Sequence, residues 1–106
     1  MVSKKQKMQD IKALRGIGHR LDPVVIVGGN GITPTVVEEV ARALHDHELI
    51  KIKIPAGDST TRKECANAIA DATNAQVIHH IGRMVLLLKA NPEPNDKLSN
   101  LSRFGF

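Results

Sequence analysis

The sequence predicts an α/β fold: a two-layer sandwich in which helices pack on a four-stranded mixed sheet. Helical and strand periodicities alternate along the chain in the order α-β-α-β-α-β-β, which places helices against a sheet that contains parallel strands. The last two strands are separated only by Gly82-Arg83, so they form an antiparallel hairpin. The candidate core is aliphatic, because the 106 residues include two Phe and no Trp or Tyr.

The first part of the chain supplies a helix and a strand. A helix is predicted from Ser3 to about Gly16, because apolar residues at positions 8, 11, 14 and 17 recur at helical spacing. Pro23 disfavours helical structure at Asp22, which ends this segment. The four residues of Val24–Val27 are all β-branched and predict a buried strand.

A second helix is predicted from Thr33 to about Asp46. The Thr33 hydroxyl can accept a hydrogen bond from the first turn, and Pro34 suits the first helical position. The remaining elements are a strand over 49–54, a third helix over 59–74 and two strands over 76–81 and 84–89. The last strand is apolar throughout, so it is predicted to lie in the middle of the sheet.

The composition indicates one domain over residues 1–90, followed by a mobile tail over residues 91–106 that has few core candidates. The single cysteine, Cys65, allows no internal disulfide and favours a reducing compartment. The longest apolar runs fall well short of the roughly 20 residues that cross a bilayer. The basic start is followed by no apolar segment, so no secretory signal is predicted and a cytoplasmic protein is expected.

A glycine-rich loop, Gly28-Gly29-Asn30-Gly31, joins the predicted buried strand to the second helix. Free backbone amides and the helix dipole make such a loop a candidate anion site. A P-loop is excluded because no Lys follows Gly31, and the dinucleotide-binding pattern fails because Pro34 stands at its third glycine. The remaining G-x-x-G pattern clamps a nucleic-acid backbone in K-homology domains. Taken alone, the tetrapeptide is better explained as an ordinary turn that joins a strand to a helix.

Positive charge is concentrated near the start of the chain, although the net charge is only +4. Segregated basic residues favour a polyanionic partner, and the scarcity of aromatic residues indicates contacts with a nucleic-acid backbone rather than stacking on bases. The candidate cations are Lys4, Lys5, Lys7, Lys12, Arg15 and Arg20, then Lys51 and Lys53, and finally Arg62, Lys63 and Arg83. The first helix is the preferred source, because it directly precedes the strand and its loop.

The sequence predicts no metal, no cofactor and no small-molecule substrate. Two histidine pairs, at positions 45 and 47 and at positions 79 and 80, lack the spacing of metal ligands. No nucleophile, base and orienting group are spaced as a catalytic set. The protein is therefore not expected to be an enzyme.

Several blocks of sequence, in this order, resemble the CRM domain (chloroplast RNA splicing and ribosome maturation), and in particular its single-domain bacterial YhbY-like members. The blocks are 21–33, 36–40, 47–53, 76–78 and 81–83. The resemblance covers about residues 3–90. It implies an RNA-binding module built like the C-terminal domain of a bacterial translation initiation factor, with a G-x-x-G loop that contacts RNA.

The resemblance also implies a non-catalytic protein that associates with ribosomal RNA and with precursors of the large ribosomal subunit. The implied loop residues are Gly28, Gly29, Asn30 and Gly31, and the amides extending to Ile32 and Thr33 complete the candidate phosphate site. Family members often carry a basic residue within the loop, where this chain has Gly29 and Asn30. The alternative is a protein-interaction module that docks through the acidic second helix. The oligomeric state is left open, with a monomer expected.

Overall fold

A computed structural model describes residues 10–105. Within that range the elements are α1 (Ile11–Gly18), β1 (Pro23–Ile26), α2 (Pro34–His47), β2 (Leu49–Lys53), α3 (Ser59–Thr73), β3 (Gln76–Ile81), β4 (Met84–Leu88) and α4 (Asn100–Arg103). None of these helices is long and apolar enough to span a membrane. The start predicted for the first helix, at Ser3, lies outside the described residues. In the described part, α1 begins after the N-cap Asp10 and continues past the predicted end at Gly16.

The predicted four-stranded mixed sheet is confirmed, with the strand order β1-β2-β4-β3. The strands β1 and β2 run parallel, whereas β2 with β4 and β4 with β3 run antiparallel. As predicted, β4 is central and is covered on both faces. The C-terminal ends of β1 and β2 and the turn between β3 and β4 therefore lie at one end of the sheet, here named the loop end.

Helices lie on both faces of the sheet. On one face, α2 and α3 pack against β-strand residues that include Val25, Ile52 and Leu87. On the other face, α1 and α4 form a smaller core around Leu14, Leu86 and Leu101, none of which exposes more than 1% of its surface. Alternation along β2 directs its isoleucines to the first face and Leu49 to the second.

The first strand is half exposed, which corrects the prediction that Val24–Val27 is buried. Val25 and Val27 are buried, but Val24 is 49% and Ile26 is 63% exposed. The reason is strand order: β1 forms an edge of the sheet, and the helices of the second face leave it uncovered. An unbroken β-branched run therefore does not establish burial on both faces.

Local signals fix α2 and α3. The Thr33 hydroxyl accepts a hydrogen bond from the amide of Val36 at 3.2 Å, as its position before Pro34 predicts. Asp58 caps α3 by accepting from the amide of Thr61 at 2.8 Å. Asn74 ends that helix in the left-handed conformation, with φ of 56°.

The C-terminal segment, predicted as a mobile tail over residues 91–106, contacts the rest of the fold in its described part, residues 91–105. Its anchor is Glu48, a fully buried carboxylate at the end of the sheet opposite the loop end. The Ser99 hydroxyl donates to Oε1 of Glu48 and the Asn91 amide donates to Oε2, both at 2.8 Å. Nearby, the Asn100 side chain donates to the carbonyl of Leu49 at 2.6 Å. Because most of these anchors are polar, hydrophobic periodicity gives no sign of them.

Candidate nucleic-acid interface

The glycine loop lies at the loop end of the edge strand β1. Gly28, Gly29 and Asn30 are exposed. The amide of Gly31 donates to the carbonyl of Gly28 at 3.0 Å and closes a turn in which Gly31 has a φ of +67°. That backbone conformation explains a glycine at position 31, because other residues adopt it at a cost.

Backbone donors remain available around this turn. Within residues 10–105, the amides of Gly29, Asn30 and Ile32 donate to no protein acceptor. Of the amides predicted as phosphate donors at positions 29–33, that of Gly31 already donates to the carbonyl of Gly28 within the turn. The Thr33 hydroxyl accepts from the amide of Val36 in the cap of α2, and this bond does not use its O–H donor. The loop thus offers separate donors beside the start of a helix, an arrangement that suits an anion.

The fold does not require glycine at positions 28 and 29. Neither residue has a positive φ, and a Cβ added at either would meet no atom within 4 Å. Shallow cavities of about 280 and 240 Å³ flank the loop. The first lies between the loop and the β2–α3 connection, and the second lies between the loop and α2. The space above the loop is therefore open to the close approach of another molecule.

Two predicted lysines lie on β2, and one of them adjoins the loop. The amide of Val27 donates to the carbonyl of Lys53 at 2.8 Å, and Lys53 pairs in register with Ile26. Lys51 lies nearer the middle of the sheet, opposite Pro23. Both lysines are half-exposed and lie on the face that carries α1. Together with the exposed side of β1 they form a surface that is both basic and apolar.

Of the cations predicted near the start of the chain, the structure describes Lys12, Arg15 and Arg20, and the two arginines lie away from the glycine loop. Lys4, Lys5 and Lys7 lie outside the described residues, and Lys12 is exposed on the first turn of α1. Arg15 lies beside β3, on the edge opposite the loop. Arg20 lies at the other end of β1, where its guanidinium is 5.3 Å from the centre of the Phe104 ring.

The acidic surface considered for the alternative, protein-docking function is smaller than the sequence indicates. Glu38 and Glu39 are exposed on α2, but Glu48 is fully buried and bound to the C-terminal segment. Burial raises the pKa of the half-buried Cys65 thiol, which limits its reactivity. In residues 10–105 no group of three or more His, Cys, Asp or Glu could hold a metal ion.

Comparison with known proteins relates these features to a family. The model of the CRS1 / YhbY (CRM) domain matches residues 7–89. A Pseudomonas aeruginosa protein named "Probable RNA-binding protein" is 42% identical over 93 residues, which are 88% of this chain and 89% of that protein. A Haemophilus influenzae protein named as an RNA-binding protein is 39% identical over 97 residues, 92% of this chain and 94% of that protein.

A solved structure supports the same relationship. The solution structure of a Staphylococcus aureus protein superimposes with a TM-score of 0.71 at 27% identity, covering 88% of this chain and 93% of that one. The family match spans both the glycine loop and the hairpin of the sheet, as the blocks of sequence resemblance predict. The chain therefore belongs to the CRS1/YhbY (CRM) domain family.

Proposed function

We propose that this protein is a non-catalytic RNA-binding protein that holds an RNA backbone at the glycine loop. Its RNA is ribosomal, and it acts on precursors of the large ribosomal subunit during assembly in the cytoplasm, as a monomer without a cofactor. Membership of the CRM family and the names of two similar proteins support the coarse part of this proposal. The proposal that the RNA is ribosomal rests on the resemblance of the sequence to single-domain bacterial members of this family.

The observation that carries the proposal is the pair of glycines that the fold does not need. Neither Gly28 nor Gly29 has a positive φ, and each has open space where a Cβ would be. A glycine at such a position would allow the backbone of a ligand to come close to the peptide. The available amides of Gly29, Asn30 and Ile32 would then donate to phosphate oxygens, and the Lys53 ammonium would add charge beside them.

The chemistry of this site favours the phosphate backbone over the bases. Among residues 10–105 the one aromatic side chain is Phe104, which lies against Arg20 at the end of β1 away from the loop. Contacts through amides and lysines fix the position and orientation of the RNA without reading its sequence. Each neutralised phosphate releases counterions, so the affinity should fall steeply as the salt concentration rises.

The substitution Gly29→Ala tests the loop. We expect the affinity for purified large-subunit ribosomal RNA to fall about tenfold or more, because a methyl group would hold the phosphate away from charge-assisted amide contacts worth about 1.5–3 kcal/mol each. The matched control is Gly16→Ala on α1, where an added Cβ also meets no atom within 4 Å. Filter binding at low salt gives both affinities. Equal affinities of the two variants would overturn the role of the loop.

Sedimentation of cell extracts tests the ribosomal part of the proposal. At low salt the protein should migrate with precursors of the large subunit, and at high salt it should return to the top of the gradient. The Gly29→Ala variant should leave the particles at a lower salt concentration than the Gly16→Ala control. Absence from every ribosomal-particle fraction at low salt would contradict an assembly function.

A further inference from the structure

A second basic surface lies at the other edge of the sheet. It is a groove of about 660 Å³ along β3, bounded by α1 on one side and by the start of α3 on the other. Its polar lining includes Arg15, Arg62, Lys63, His79, His80 and Arg83. The turn that carries Arg83 belongs to the loop end, so this groove and the glycine loop open at the same end of the sheet.

The charged residues that line this groove are all basic. Four of its lining residues are Lys or Arg, and no carboxylate lines it among the described residues. Asp58 lies close to Arg62, but its carboxylate caps α3 through the amide of Thr61. A concave surface with cations of this density concentrates a polyanion rather than a neutral ligand.

The basic side chains of the groove have hydrogen-bond donors that are available to a ligand. Arg15, Lys63 and Arg83 are exposed. Arg62 is held in place by the hydrogen bond from its Nη1 to the carbonyl of Gly57, at 2.6 Å. Its Nε is buried and has no hydrogen-bond partner among residues 10–105. A buried donor without an acceptor is costly, and an anion in the groove could supply that acceptor.

The histidines contribute hydrogen-bonding groups rather than charge at neutral pH. Burial and the nearby Arg15 lower the pKa of His79. Burial and the nearby Lys63 lower the pKa of His80. A neutral imidazole has one donor and one acceptor, so it can either donate to a ribose 2′-hydroxyl or accept from it.

We propose that the β3 groove is a second backbone-binding site, which holds a different segment of the same RNA from the segment at the glycine loop. This inference rests on the proposed function. The strand order separates the two sites by three strand spacings, about 14 Å. A folded RNA that presents two backbone segments side by side can fill both sites, whereas a single strand must cross the sheet end between them. The preferred ligand is therefore duplex RNA.

The test compares two triple variants that each remove three exposed cations. The groove variant is R15Q/K63Q/R83Q, which retains Arg62 and its bond to Gly57. The matched control is R42Q/K89Q/K97Q, whose cations are exposed but do not line the groove. The probes are a labelled RNA hairpin and an oligouridylate of the same length, and fluorescence anisotropy is measured over a series of KCl concentrations. Thermal unfolding checks that all variants are folded.

The groove variant should bind the hairpin about tenfold or more weakly than the control, and its salt slope should be smaller in magnitude by about 0.9 for each phosphate that is no longer neutralised. Its loss of affinity for the oligouridylate should be smaller. Equal salt slopes in the groove and control variants, or equal losses of affinity for both probes, would overturn the second site. If the unaltered protein bound neither probe at low salt, the proposed function itself would fail. If only Gly29→Ala weakened binding, the function would stand without the groove.

Discussion

The two ends of the sheet differ in whether their polar groups have hydrogen-bond partners within the protein. At the end around Glu48, the buried carboxylate, the Ser99 hydroxyl and the Asn100 amide all have partners within the chain. At the loop end, the amides of Gly29, Asn30 and Ile32 and the Nε of Arg62 have none among the described residues. Buried polar groups are normally satisfied, so the contacts of Glu48 hold that end of the fold together. The available donors at the loop end are the groups to which we propose that RNA binds.

The largest effect on stability is expected from a substitution at the end of the sheet around Glu48. The substitution Glu48→Ala would leave the buried Ser99 hydroxyl and the Asn91 amide without their acceptor. We expect the free energy of unfolding to fall by about 3 kcal/mol, measured by urea denaturation. The control is Glu38→Ala on the exposed surface of α2, which should change it by less than about 0.5 kcal/mol.

The Glu48→Ala variant also tests whether the two ends of the sheet have separate functions. Any Glu48→Ala protein that remains folded should bind ribosomal RNA as tightly as the unaltered protein, because the substitution is at the end away from the loop. A large loss of RNA affinity in folded Glu48→Ala protein would show that the two ends do not have separate functions.

An intermediate effect is expected within the glycine loop itself. Gly31→Ala forces a side chain into a backbone with φ of +67° and should cost about 1 kcal/mol of stability. Gly29→Ala meets no such strain and should leave stability unchanged or raise it by up to about 1 kcal/mol. Urea denaturation of the two variants measures the difference. Equal destabilisation would mean that Gly29 is needed by the fold, which would remove the argument for a ligand.

The smallest effect concerns pH. Burial and neighbouring cations lower the pKa of His79 and His80 in the folded protein. The unfolded chain therefore binds protons more readily than the folded chain, and stability should decrease as the pH falls below about 6.5. The variant H79Q/H80Q should lose less stability between neutral and mildly acidic pH, measured by denaturation at each pH. Identical pH profiles for the variant and the unaltered protein would contradict the assignment.

Local signals made much of the fold predictable. The caps of α2 and α3, the alternation along β2 and the short hairpin turn each depend on residues within a few positions of one another. By contrast, the exposure of Ile26 depends on the order of the strands, and the folding of the C-terminal segment depends on Glu48 contacting Ser99, 51 residues away. Neither relation leaves a periodic signal in the sequence.

The same distinction applies to the candidate site. The glycine loop is contiguous, so the sequence locates it. The β3 groove joins Arg15, Lys63 and Arg83, which three separate elements bring together around one edge strand. The sequence identifies all three as cations, but only the strand order shows that Arg15 belongs with the other two rather than with the loop.

The parallel pairing of β1 with β2 has a consequence for folding order. The β3–β4 hairpin needs only a two-residue turn, whereas β1 can pair only after α2 has formed the crossover that returns the chain to β2. The nucleus is therefore expected to form from the hairpin and β2, with the first strand docking afterwards along one side. The segment that carries the glycine loop would be among the last to be secured and among the first to open in hydrogen exchange.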